Sequence, residues 1–361
     1  MSNSTLHNPD PGDLMQRHVW KENELEYLGR CPVCSSSERI LQYKNIPDRR
    51  TRTLGEWNYY HCVSCGVLYL DPRPNAIYIG YIYENYYTHS SQEERKRENW
   101  LDRLALGMRN DYLNKKYGYQ YEPALSGGHF LMHLLPPWLR LEWDHFARDL
   151  PKSEPGKNCL LDVGCGNGQF LATARSAGWH VTGIDFDQAA IHTAQKLGVD
   201  ARMGSLAEQY FPDCSFDVVT MSHMIEHVHN PKELVTECAR ILKPGGILWI
   251  VTPNNDSIIH KKFKNFWYDL SPHHLILFNP KSLKKIIQSC KFTVTQKQRG
   301  LHIQSHWLAS QAILEGNVNI NMIYLEPFMN RKLDIRYWPL ELLIYLNTSY
   351  QGHIVFSGIK N

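Results

Sequence analysis

The sequence predicts an α/β fold: a mostly parallel sheet of seven strands with helices on both faces, preceded by a small cysteine-rich ribbon. Three observations carry this. Residues Asn158–Gln188 read as strand, glycine turn, helix, strand and acid. Apolar strand-like runs then alternate with amphipathic helix-like runs as far as Thr295, and a last strand-like run spans His353–Ile359. Upstream, two C-x-x-C pairs, Cys31/Cys34 and Cys62/Cys65, have the spacing of a four-thiolate metal site.

At 361 residues the chain has room for one large domain and something smaller. With 43% hydrophobic residues its composition is that of a folded protein, and a net charge of +3 is too small to imply a nucleic-acid partner. No apolar run approaches the ~18 residues of a membrane span. The polar start lacks the apolar core of a secretory signal, so the nine cysteines suggest a reducing cytoplasm and metal thiolates rather than disulfides.

Taken in order, residues 1–24 read as a flexible leader and 25–75 as a zinc ribbon. Each C-x-x-C forms a tight knuckle, Gly66 releases the second turn, and strand-like segments Arg39–Lys44 and Trp57–His61 lie between. Such a closed site is structural rather than catalytic. Residues 76–150 read as a tyrosine-rich linker and a helical lid. Tyr78, Tyr81, Tyr83, Tyr86 and Tyr87 either pack between ribbon and core or bond a hydroxylated substrate. Residues 91–117 read as a solvated helix. Residues 129–150, broken at Pro136-Pro137, read as an amphipathic cover for the sheet, with peripheral membrane contact as the other reading.

The core is expected over 151–300, with a helical insert at 301–350 and a closing strand within 351–361. Cys159–Val163 is an unbroken apolar run save for Asp162, as a strand buried on both faces should be. Gly164, Gly166 and Gly168 follow at alternate positions, then a helix stopped by Gly178 and a strand ending at Asp185. Without side chains, a glycine turn lets backbone approach a ligand closely. Asp185, about 20 residues on, can accept hydrogen bonds from both hydroxyls of a ribose. A dinucleotide fingerprint would need glycine at position 169, which is Gln169. Instead an acid stands two residues before the first glycine, which suits a ligand with an ammonium and a sulfonium group. Further strands are expected at Val199–Met203, Phe216–Met221, Ile247–Val251 and Phe292–Thr295, with helices capped by Asn230-Pro231 and Asn279-Pro280.

The D-V-G-C-G-N-G run with its distal Asp185 resembles the class I S-adenosylmethionine-dependent methyltransferases, from about Asn158 to Thr295 plus the final strand. The resemblance implies a Rossmann-like sheet whose last strand lies antiparallel between the fifth and sixth. It implies that Asp162, Gly164, Cys165, Gly166 and Gly168 surround the methionine moiety and that Asp185 takes the ribose. Phe186, Ser205 and Leu206 would flank the adenine, and Met221, Ser222 and His223 would end the fourth strand beside the sulfonium. For Phe186 and Leu206, plain core packing is the other reading.

Past the fourth strand, Glu226-His227 offers a carboxylate beside an imidazole, either to remove an acceptor's proton or to fix the loop. The same E-H recurs in ubiquinone-biosynthesis O-methyltransferases and in sugar methyltransferases. In the former, nearby acids help hold a divalent metal, and His223 stands where that pattern places one. A third cluster, Ser271-Pro-His273-His274-Leu-Ile-Leu-Phe278, resembles a run of surface-sugar methyltransferases; His273 and His274 read as base, hydroxyl anchor or polar core. Lys261–Lys264 reads as a solvated basic face or a phosphate contact.

These resemblances imply methyl transfer to a hydroxyl, less so to carbon, of a small hydroxylated acceptor: a sugar of a surface glycan or a nucleotide-sugar. O-methylation of a polyprenylated phenol is the alternative, and a binding module with a degenerate nucleotide fold is the non-enzymatic one. The implied cofactors are S-adenosylmethionine and structural zinc.

Overall fold

A computed structural model describes residues 19–49, 54–82, 100–297, 303–316 and 337–361. The ribbon holds β1 (Leu25–Glu26), β2 (Arg39–Pro47), β3 (Glu56–Cys62), β4 (Leu68–Leu70) and β5 (Arg73–Pro74). Strands β2, β3 and β4 form an antiparallel meander, and β1 pairs with β5. The two cysteine knuckles lie at the end of the sheet where β3 turns into β4.

Three helices follow: α1 (Trp100–Tyr117), α2 (Gly128–Leu134) and α3 (Pro137–Phe146). Pro137 opens α3 at its first turn, as the break at Pro136-Pro137 requires. Contrary to the solvated helix expected here, α1 buries Asn110, Asp111, Tyr112 and Leu113. The reason is polar anchoring that no apolar stripe announces: the Tyr112 and Tyr117 hydroxyls both donate to Asp144, at 2.7 and 2.6 Å.

The core alternates as expected: β6 (Cys159–Val163), α4 (Gln169–Ser176), β7 (His180–Asp185), α5 (Gln188–Lys196), β8 (Asp200–Met203), β9 (Phe216–Ser222), α6 (Pro231–Ile241) and β10 (Leu242–Pro253). Then come α7 (Ile258–Phe263), β11 (Ile276–Leu277), α8 (Pro280–Ser289), β12 (Phe292–Lys297), α9 (Ile303–Leu314), α10 (Trp338–Leu346) and β13 (His353–Lys360). Asp187, Asn230 and Asn279 cap α5, α6 and α8 through side-chain oxygens that accept from backbone amides.

The seven-stranded sheet runs β12-β13-β10-β9-β6-β7-β8, with β13 antiparallel to both neighbours. The strand order reverses between β6 and β9, which opens a crevice at their carboxyl ends. Strand β10 is longer than expected because Leu242 already pairs with Phe216 before an irregularity and renewed pairing at Ile247. The ribbon is also not self-contained. Its four-stranded sheet is β11-β4-β3-β2, so residues 276–277 of the core complete it. One apolar core accordingly runs from Trp57, Tyr59 and Leu68 through Leu275–Phe278 to Phe356.

Tyr83, Tyr86, Tyr87, most of the leader, and residues 317–336 of the expected insert lie outside the described residues. Among the described residues no helix is long and apolar enough to cross a membrane.

Candidate active site

At the crevice, the loop after β6 is tied to the end of β7. The amides of Gly164 and Cys165 donate to Ile184 O (2.8 and 3.0 Å), and the Gly166 amide donates to Asp185 Oδ2 (2.8 Å). Asp185 Oδ1 accepts from the Asp187 amide at 3.0 Å, so both carboxylate oxygens are fixed at the strand end. Each keeps a further lone pair for a ligand hydroxyl. Gly168 is required: its φ is +75°, and a Cβ there would sit 2.5 Å from the Ala194 Cβ on α5. A Cβ on Gly164 would meet Met224 at 2.8 Å, which places the segment after β9 directly against this loop.

Phe186 is 60% exposed, so it is not core, whereas Leu206 and Met221 are buried in the core. Ser205 does not face the crevice freely; its amide and hydroxyl both donate to Glu208 Oε2, at 2.6 and 2.8 Å. Cys165 turns its buried thiol toward Gly183, leaving its backbone on the loop.

Asp162 is fully buried and its Oδ1 accepts from Arg148 and, at 2.9 Å, from Thr220. Arg148 leaves the end of α3, lies 3.5 Å over the Phe170 ring, and also donates to Thr220 (2.7 Å). Burial pushes the Asp162 carboxyl up, and Arg148 and Thr220 pull it back. The charge expected beside the methionine moiety is therefore already countered by a protein cation. Arg148 and Thr220 were not among the sequence candidates. Nothing local marks an arginine just beyond an amphipathic helix as a partner of the motif acid.

After β9 the chain turns at His223, whose φ of +53° is a left-handed conformation rare for a side-chain-bearing residue. Glu226 is fully buried; its Oε2 accepts from the Thr252 hydroxyl at 2.8 Å. Its Oε1 lies 3.4 Å from His223 Nδ1 and 4.0 Å from His227 Nε2. Burial opposes the charge, but the His223 contact and the charge of His227 outweigh it and hold the Glu226 carboxyl below its ordinary value.

The structure separates the two histidines of the third cluster. His273 is buried with Nδ1 against Ser271 Oγ (2.6 Å) and Nε2 against Ile82 O (2.9 Å). Both ring nitrogens are engaged, in keeping with the polar-core reading of His273. His274 donates Nδ1–H to Asp269 O (2.7 Å) and its ring stands 5.0 Å from that of His227. His227 in turn donates Nδ1–H to His273 O at 2.7 Å. Each carbonyl can only accept, which assigns the protonated nitrogen of both rings and leaves His227 Nε2 4.0 Å from Glu226 Oε1. One donor atom from each of Glu226, His227 and His274 lies within 4.8 Å of the others. Two imidazoles and a carboxylate, both rings anchored by carbonyls, form a donor set able to hold a divalent cation. Lys261, Lys262 and Lys264 are exposed, in keeping with the solvated reading.

The four cysteines converge as their spacing implies. Cys31 Sγ is 3.6 Å from Cys65 Sγ and Cys34 Sγ is 3.5 Å from Cys62 Sγ, with all four inside 4.8 Å. Four thiolates about 2.3 Å from a tetrahedral zinc would be about 3.8 Å apart. The set therefore fits zinc. Without a cation, the Cys31 contact and burial push the Cys65 thiol up, so a metal is what would keep these groups as thiolates.

Residues 138–297 match the family model of a methyltransferase domain. A probable S-adenosylmethionine-dependent methyltransferase of Mycolicibacterium smegmatis is 34% identical over 137 residues, covering 37% of this chain and 52% of that protein. The ubiquinone biosynthesis O-methyltransferase of Maricaulis maris is 38% identical over 122 residues, covering 32% of this chain and 47% of the relative. The chain thus spans about half the length of these relatives. Among solved structures, an S-adenosylmethionine-dependent methyltransferase of Archaeoglobus fulgidus is 23% identical with a TM-score of 0.39, covering 57% of this chain and 87% of that one. The glycine loop, Asp185 and the sheet order agree with the family match: residues 138–297 form a methyltransferase domain on a Rossmann-like sheet.

Proposed function

We propose that the chain transfers a methyl group from S-adenosylmethionine to an oxygen of a hydroxylated acceptor, and that the acceptor is a phenol carrying a polyprenyl chain. The carrying observation is the buried Glu226 carboxylate with His227 beside it, on the segment packed against the glycine loop. The loop and Asp185 hold the cofactor, and Phe186 offers its exposed ring to the adenine. The acceptor oxygen attacks the methyl carbon in line; the O–CH3 bond forms as the S–CH3 bond breaks, leaving S-adenosylhomocysteine.

Glu226 is fully buried whereas the His227 side chain keeps 17% of its surface exposed, so His227 Nε2 is the group placed to take the hydroxyl proton. Glu226 then stabilises the imidazolium, and Thr252 and His273 O fix the orientation of acid and ring. The four cysteines hold a structural zinc. A divalent cation on Glu226, His227 and His274 is a second reading of the same site, favoured by the convergence of their donors; it would supply Lewis acidity to the hydroxyl.

The names of the relatives support the phenol over the sugar hydroxyl that the sequence reading put first. A sugar draws support from the stacked Tyr78 and Tyr81 rings, 6.1 Å apart, with Tyr81 38% exposed. The test is incubation with methyl-labelled S-adenosylmethionine and either a prenylated catechol or a pool of nucleotide-sugars, with and without chelator. A labelled ether in the catechol arm is the expected result. Label in the sugar arm alone would overturn the acceptor, and a loss of label with chelator that magnesium restores and zinc does not would favour the cation.

A further inference from the structure

The cysteine ribbon is wired into the segment that carries the active-site imidazoles. The second knuckle, Cys62–Gly66, is the turn joining β3 to β4. Strand β4 pairs with β11, Leu68 opposite Leu277 and Tyr69 opposite Ile276, and the Leu70 amide donates to Leu275 O at 3.0 Å. Leu275 directly follows His274. The knuckle is also gripped from the core: Asn255 Nδ2 donates to both Gly66 O and Leu277 O at 2.9 Å, and Asn279 Nδ2 donates to Cys65 O at 3.2 Å. From β3, the buried Tyr59 hydroxyl donates to Ser271 O at 2.6 Å. Ser271 then contacts His273, whose carbonyl sets the His227 ring.

We propose that a zinc-class metal on Cys31, Cys34, Cys62 and Cys65 is a positioning device for His227 and His274, acting through β4, β11 and Tyr59. This rests on the methyltransferase reading above. The ribbon's inner face is spent on the core: Tyr59, Leu68, Tyr69 and Leu70 are all at most 1% exposed. That face is therefore not free to dock another macromolecule. The physical link is register. A metal fixes the β3–β4 turn, the turn fixes where β4 meets β11, and a slip of one residue there would invert the faces of the strand that leaves His274. Site geometry is sensitive to such shifts at a distance from the chemistry.

The experiment needs no acceptor. Full-length protein labelled with 15N-histidine is compared as zinc-loaded, as chelator-stripped, as stripped and reloaded with zinc, and as the zinc-loaded Tyr59→Phe variant. The readouts are the ring resonances of His227 and His274, assigned by His227→Gln and His274→Gln, and S-adenosylmethionine affinity by calorimetry. Stripping is expected to move both sets of resonances reversibly while cofactor affinity changes less than about twofold. Tyr59→Phe is expected to move them in the same direction with zinc retained. Resonances unmoved by complete loss of zinc, or unmoved in Tyr59→Phe, overturn the proposal, as does a loaded protein that takes up no zinc. If stripping unfolds the chain, Tyr59→Phe alone decides. Failure of the methyltransferase reading would show separately, as zinc-loaded wild-type protein that binds no S-adenosylmethionine.

Discussion

At the scale of single residues, Glu226 is the most consequential side chain, because it is charged, buried and bracketed by two imidazoles. Replacing it with Gln keeps the shape and the Thr252 contact but removes the charge that stabilises an imidazolium. Glu226→Gln should lower turnover by about 10²–10⁴-fold while leaving cofactor affinity near wild type, measured by initial rates and calorimetry. The same carboxylate gives a pH signature. An acid held below its ordinary value of 4.5 favours the folded state while it is ionised. Its contribution is full above about pH 4.5 and is lost as pH falls through the lower folded value. Melting temperature should therefore fall more steeply on acidification in the wild type than in Glu226→Gln. The E-H pair was legible from sequence because it stands at the end of a strand in a known kind of unit. The separation of His273 from His274 was not, because adjacent histidines differ only in which carbonyls and hydroxyls the folded chain brings to them. Arg148 was equally hidden, since its partner Asp162 is reached only across the face of the folded sheet.

At the scale of elements, helix starts and strand turns do most of the placing. Gly168 begins α4 in a left-handed conformation with α5 packed against its open side. Gly168→Ala should cost about 1–3 kcal/mol by overpacking against Ala194, seen as a lower urea midpoint with unchanged slope. Asn279 caps α8 and also holds Cys65 O. Asn279→Ala should cost about 1–2 kcal/mol for the cap and weaken zinc retention as well, read by denaturation and by metal analysis. The alternating strands and the caps at Asn230 and Asn279 were readable, because each has a periodic or capping pattern of its own; the antiparallel setting of the closing strand came only from the family resemblance. The two-residue strand β11 was not. Ile276–Leu277 sits in a short apolar run, and only pairing with β4 shows it to be a strand.

At the scale of the whole molecule, ribbon and sheet share one apolar core, so the boundary between them is one of sequence more than of structure. Loss of metal should then be felt beyond the ribbon. Cys62→Ser should abolish binding of about one zinc per chain and lower the melting temperature of the chain as a whole, measured by elemental analysis and calorimetry. The fold class was legible because a doubly wound sheet repeats one unit along the chain. The joining of ribbon to core was not, because its contacts cross more than 180 residues of sequence, as from Asn255 to Gly66. What the account rests on most is the pocket formed by Gly164–Gly168 and Asp185. Its most direct test is calorimetric titration of S-adenosylmethionine into wild type and Asp185→Ala. The account predicts saturable binding to the wild type and a loss of about 10–10²-fold in the variant, as expected for charge-assisted hydrogen bonds. No binding to folded wild-type protein, or equal affinity in the two, would contradict it.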